Sequence, residues 1–480
     1  MPTPSPAGAP PADASLADLL AWLVDQGARL PGTAELDAFT AVVADAWSAL
    51  GLEVHHDPVP LTGWAATSGT LTVRPARPGA AAVPVPVASV APCSSPTPPE
   101  GVRGPVVRVG GGRGARRALR GGVAVVDVAA RPVPVDLLVR ALATSPPTWA
   151  APTSLVNPVI PAELLGRRLR ALVRGGAAAV VLVWRGLPED VAAGQWLPFT
   201  LPDLPVPVVW VAGEHADALG DGDAHVTVTA TGTGPARGGS VWCVVDGTDA
   251  QDETVLVTTH TDGPNPLEEN GPVALVALAR ALVADRPRRT HVLVAATGHL
   301  RMPQLPHRGQ CTATWLAGHR PWWDGAAGHR RAVAGVVVEH VGAVDDDGAP
   351  EIELVHTTTA PLAALAAAAF AGRARPHRAL LAAPRSLVHL GEGEPLHEHR
   401  IPAVASLAVP RRLLQRAEPG DPRWRARVDP GLAEDQVAAV ERVLRAVDAT
   451  PAGELGRVRR HRPWERVRDA TRLLRWVRGA

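Results

Sequence analysis

The 480-residue sequence contains no lysine and no tyrosine, and only three phenylalanines, two methionines and three cysteines. Arginine therefore carries essentially all of the positive charge, and 48 basic residues stand against 47 acidic ones. The net charge of +1 offers no basic face or charge block to suggest nucleic acid or an anionic membrane as partner. Cys93, Cys243 and Cys311 are far apart, odd in number and outside any CxxC pair, which argues against a disulfide framework. No apolar stretch reaches the ~20 residues that a membrane span requires. The opening MPTPSPAGAPPADASLADLL lacks a basic region followed by an apolar one, so no secretory signal is expected and a cytoplasmic location is the default. The joint absence of lysine and tyrosine reads as the bias of a high-GC genome.

What is present is a globular composition, with 46% hydrophobic and 20% charged residues. Its length predicts about two or three domains. After a Pro/Ala-rich leader (1–14), residues 15–26 and 35–50 show helical spacing, and 52–61 alternates as a strand. Together they make an opening unit, 15–70. His55 and His56 lie in that strand on opposite sides, so both are expected to be surface or satisfied polar residues. From 71 to 235 short Val-rich strands dominate, with a helix over 161–174 that runs through Gly175-Gly176 into AAAVVLVW. Over 236–450 strands and helices alternate, which favours a three-layer α/β/α domain with a mainly parallel sheet. A helical tail, 451–480, follows, with arginine-rich faces expected to be solvated.

Four segments carry ligand-grade side chains. In TTHTDGPNPLEENGPVALVALARAL, His260 and Asp262 share one face at a strand end, where open α/β sheets build their sites. Asp262 is placed to orient His260, as metal-bound histidines require. Glu268 and Glu269 follow on a turn, and Asn270 is suited to cap the next helix. THVLVAATGHL ends a second strand at Gly298 and His299. GVVVEHVGA ends the most apolar strand at Glu339, a buried carboxylate that needs a partner, with His340 expected to point to the opposite side. HLGEGEPLHEHRIP packs His389, Glu392, Glu394, His397 and His399 before a strand.

Taken together, these segments resemble the zinc-dependent aminopeptidase and carboxypeptidase family, which includes bacterial leucyl aminopeptidases and glutamate carboxypeptidase. The opening GARLPGTAELDAF matches that family's R-x-x-G-[ST]-x-E loop, and the helix, Gly-Gly and strand at 161–183 resemble the protease-associated domain that members often insert. The resemblance implies a zinc-peptidase fold with a β-rich insert over 71–235. Its H-x-D motif falls on His260 and Asp262, its bridging Asp on Glu269, and its strand-end Asp on Glu339. Where the family has Glu-Glu, base then ligand, this chain has Gly298-His299, and Gly393 stands where the final His belongs. The implied centre holds one zinc or other divalent ion through His260, Glu269, His299 and Glu339, with Glu268 or Glu392 as replacement base. Asn270, Glu394 and His397 are expected at the cleft rim. Two functions follow: amide hydrolysis of a peptide or small molecule by metal-activated water, or an inactive relative that binds a peptide, small molecule or protein in the same cleft.

Overall fold

The computed structural model describes residues 8–109, 119–200, 204–231, 234–300 and 311–478, so the first seven residues of the expected leader lie outside it. Ser15 starts the helix Leu16–Val24 by a capping box with Asp18, and Thr33 caps Ala34–Ala49 by accepting from the Leu36 amide. Both helices pack on the helix Gly271–Ala284, which lies against the largest sheet.

That sheet has nine strands in the order Val54–Thr62, Pro235–Val245, Arg289–Ala296, Ala250–His260, Arg331–Glu339, Ala403–Ala408, Glu353–Thr357, Ala379–Pro384, Val139–Ser145. The parallel pairing expected from alternating strands and helices holds for the four central strands from Arg289–Ala296 to Ala403–Ala408. Antiparallel strands flank them on both sides. Val255, Val257, Val336 and Val338 face one core, while Leu256, Val292, Val294 and Val337 face another. Strict two-residue alternation between two buried faces is what a sheet between helical layers requires. The register pairs His260 with Ala296 and Thr258 with Val337, so His260 and Glu339 end level with each other.

A second, eight-stranded sheet is formed within residues 65–231 and has its own buried faces. The helix expected over 161–174 is two pieces, Val159–Glu163 and Gly166–Arg174, followed by Gly176 at φ +86° and the strand Ala179–Arg185. Val139–Ser145, from the middle of this stretch, adds an edge strand to the large sheet. The tail helix Pro463–Arg478 packs beside it, with Trp476 Nε1 donating to the Pro132 carbonyl and Asp469 accepting from the Ser386 hydroxyl. All three cysteines are free and buried. Among the described residues no helix is long and apolar enough to cross a membrane. His55 stacks on Trp242, and neither it nor His56 is one of the clustered ligand-type groups.

Candidate metal centre

The carboxyl ends of the central parallel strands bring six buried ionisable groups together: His260, Glu268, Glu269, His299, Glu339 and His340. Ligand atoms of His260, Glu269, Glu339 and His340 all lie within 4.8 Å of one another, as do those of His260, Glu268 and His299. The three imidazoles share one orientation. Nδ1 of His260 faces the Asp262 carbonyl at 3.0 Å, Nδ1 of His340 the Ala408 carbonyl at 2.8 Å, and Nδ1 of His299 the Glu392 carboxylate at 2.8 Å. A carbonyl or carboxylate can only accept, so each Nδ1 donates and each Nε2 is left toward the carboxylates. His260 Nε2 lies 2.7 Å from Glu269 Oε2, and His340 Nε2 lies 2.9 Å from Glu268 Oε2 and 3.6 Å from Glu269 Oε2.

His340 is a correction to the strand reading, which turned it away from the site. Alternation ends with the strand at Glu339, and His340 takes φ +59°, a left-handed conformation that swings its ring back beside its neighbour. A Gly two residues after the strand-end pair is a weak signal of such a turn; nothing else in the sequence marks it.

Asp262 is a second correction. It orients His260 through its backbone carbonyl, because its carboxylate is taken: it accepts from the amides of Gly298 at 2.8 Å, His299 at 3.0 Å and Leu300 at 2.7 Å. The carboxylate therefore fixes the turn that presents His299. Glu392 is a third. One of its oxygens holds His299 Nδ1 and the other the Thr312 amide at 2.9 Å, so it orients a histidine and is not placed to act as a base. Asn270 occupies the N-cap position but makes no side-chain cap. It is fully buried, below the cleft rim, and clamps Val341 at both its amide and its carbonyl.

Other groups fix the acidic turn. Arg29, the arginine of the R-x-x-G loop, is fully buried and donates to the carbonyls of Asn265, Glu268 and Glu269. Burial lowers its pKa to about 10 against the pull of Glu269, Asp262 and Glu268, so it remains charged. Gly271 leaves room for Glu269 Oε1, which accepts from its amide and from Thr259 Oγ1; a Cβ there would stand 2.0 Å from the threonine oxygen. Gly391, at φ +69°, brings the backbone against Glu339, whose Oε1 accepts from the Glu392 amide at 2.7 Å.

Above the cluster lies a cavity of about 270 Å³. Glu268, His299, Glu339 and His340 line it, under apolar walls that include Ile160, Phe199 and Leu407. Phe199 packs against the His299 ring at 5.3 Å and is pinned by Glu163, whose carboxylate accepts its amide. Of the expected rim residues Glu394 lines this cavity, whereas His397 faces a neighbouring groove.

The same architecture occurs in solved structures. A zinc aminopeptidase from Bacillus subtilis superposes with TM-score 0.60 at 16% identity, covering 93% of this chain and 98% of its own. A peptidase M28 precursor from Shewanella amazonensis SB2B gives TM-score 0.62 at 14% identity over 94% and 96% of the two chains. An aminopeptidase from Aneurinibacillus sp. strain AM-1 gives 0.59 at 14% over 89% and 92%. The chain has an aminopeptidase-like fold. No protein-family model and no curated protein sequence matches it.

Within this fold the cluster has the chemistry of a divalent-cation site. His260 Nε2 meets Glu269 Oε2 and His340 Nε2 meets Glu268 Oε2, and none of the four atoms makes any other hydrogen bond among the described residues, so each imidazole faces only carboxylate oxygen. Burying charged groups is costly unless they are paired or bind a metal, and the ligand atoms of His260, Glu269, Glu339 and His340, all within 4.8 Å of one another, are spaced to share one ion. Nitrogen and carboxylate oxygen donors suit zinc and similar ions. Without an ion, protons take that place. Burial and Glu269 push Glu339 up to about 7, while Glu268 overcomes the burial of His340 and raises it to about 9.

Proposed function

We propose that the chain is a metal-dependent hydrolase of amide bonds, acting on a peptide or a small amide. The observation that carries this reading is the common orientation of three buried imidazoles, each donating through Nδ1 and presenting Nε2 to carboxylates beneath an apolar cavity. His260, Glu269, Glu339 and His340 would hold one divalent ion, for which zinc is the natural choice, with His299 beside it. Such an ion would polarise a substrate carbonyl and acidify the attacking water.

The remaining work belongs to the protein. Of the two clustered carboxylates that line the cavity, Glu339 belongs to the ligand set and Glu268 does not, so Glu268 would take the proton of the attacking water. Glu392 and Asp262 hold His299 in place, and Arg29 and Asn270 stiffen the loops that carry the carboxylates. Phe199, Ile160 and Leu407 keep bulk water out and accept an apolar substrate group. The smaller sheet is read as a protease-associated-type insert, which supplies Ile160 and Phe199 to the cavity wall.

The test is metal analysis of protein purified without chelators, followed by turnover of an amide panel with wild type and Glu268→Gln. Stoichiometric metal in both, with a ~10²–10⁴-fold fall in kcat for the variant, is the expected result. Absence of stoichiometric metal, with His260→Ala and Glu339→Ala leaving stability and ligand binding unchanged, would sink the hydrolase. Metal held by these residues with no turnover on any amide would instead favour a binding protein that uses the same cavity.

A further inference from the structure

Beside the site cavity lies a larger groove of about 530 Å³, walled by residues 385–400 and by residues 458–466 ahead of and within the tail helix. Five lining side chains are arginines, Arg385, Arg400, Arg459, Arg460 and Arg466, against two carboxylates, Glu394 and Glu398. Arg459 is paired with Glu465, and Arg385 is held by the Asp136 carbonyl. Arg400, Arg460 and Arg466 make no ion pair among the described residues.

Three histidines join them. The rings of His389, His397 and His461 follow one another at 5.5 and 5.4 Å, and the Nε2 atoms of His389 and His461 are buried without hydrogen bonds. Burial, together with a neighbouring imidazole for His389 and His397, holds all three below the ordinary histidine pKa. Like-charged guanidinium groups gathered around one groove repel one another, and an anion among them relieves that repulsion and would favour protonation of the imidazoles beside it. Guanidinium groups suit carboxylate and phosphate through their planar, paired donors. Nor is the groove separate from the site, since His389 and Glu394 line both.

We propose that this groove binds an anionic group, carboxylate or phosphate, and that it receives the charged end of a ligand whose apolar end occupies the site cavity. The second half of that statement rests on the proposed hydrolase; the anion site does not. The ligand class is then a short apolar molecule with an anion at one end, held by the arginines while its apolar part lies over the cluster.

The experiment uses the full-length, zinc-loaded chain. Inorganic phosphate and succinate are titrated separately by calorimetry into wild type, the double variant Arg460→Ala/Arg466→Ala, and Arg475→Ala, a tail arginine outside the groove. All three arginines are exposed, so the variants are expected to fold. The tighter-binding probe should weaken at least ~tenfold in the double variant and remain unchanged in Arg475→Ala. Which probe binds more tightly separates phosphate from carboxylate. Equal affinities in all three proteins, or an equal loss in both variants, overturn the anion site. In a second arm, amidating the C-terminal carboxylate of a short apolar peptide should raise KM ~tenfold in wild type, with kcat little changed, and should have no effect in the double variant. Turnover of both peptides with equal KM in wild type removes the link between groove and cavity. If no peptide is turned over while phosphate or succinate binding still depends on the groove arginines, the hydrolase fails and the anion site stands.

Discussion

The placement of His340 offers the sharpest test, because strand alternation and the folded structure give opposite answers for it. Removing its ring in His340→Ala strips the Nε2 that lies 2.9 Å from Glu268 and 3.6 Å from Glu269 and leaves two buried carboxylates facing each other. In the metal-free protein the rise of the His340 pKa from 6.5 to about 9 corresponds to about 3 kcal/mol of ion-pair stability, the lower end of what breaking a buried pair costs. The sign follows from the raised pKa. This stabilisation is fully present below about pH 6.5 and is lost as the pH rises through 9, so urea unfolding of wild type and variant should differ most at pH 6 and converge above pH 9. In the metal-loaded protein the variant lacks one ligand and should bind zinc at least ~100-fold more weakly, beyond the ~10–100-fold typical of groups that only orient a ligand. Competition with a chromogenic chelator at pH 8 measures this directly. If zinc affinity changes less than ~twofold and the unfolding curves coincide at pH 6, the ring does not face the cluster and the proposed ligand set is wrong.

Three further outcomes follow from the same geometry. Asp262→Ala removes the acceptor of three backbone amides at 298–300 and should lower unfolding free energy by about 3 kcal/mol or more, read by denaturant titration; a loss under ~1 kcal/mol would mean the turn holds itself. Glu392→Gln loosens His299, which stands beside the four ligands, so zinc affinity should fall by less than ~tenfold and most of kcat should be retained at saturating zinc, whereas abolished turnover with zinc bound would restore Glu392 as the base. Gly391→Ala places a Cβ 2.5 Å from Glu339 at φ +69°, so it should lower both Tm and zinc affinity; a variant as stable and as tight-binding as wild type would contradict the close approach.

Much of the fold was legible in the sequence because its signals are local. Helix starts at Ser15 and Thr33, the Gly175-Gly176 stop and the Val-rich strands ending at His260 and Glu339 lie within a few residues of their expected bounds. The helix Gly393–Glu398 was missed, since six residues rich in Glu, His and Pro read as a loop. The edge strand Val139–Ser145 was missed for a different reason: its partner is some 240 residues away and leaves no local trace.

The site divides along the same line. By itself the sequence determined which strand ends carry ligand-grade side chains, because burial periodicity and strand length are written in nearest neighbours. Only the tertiary structure decided what those side chains do. A single left-handed residue turned His340 inward, three distant amides claimed Asp262, and the pairing of His299 with Glu392 across 93 residues made a candidate base into a support. Each of these depends on which polar group a buried atom meets once the chain has closed around it, and that choice is set by long-range packing.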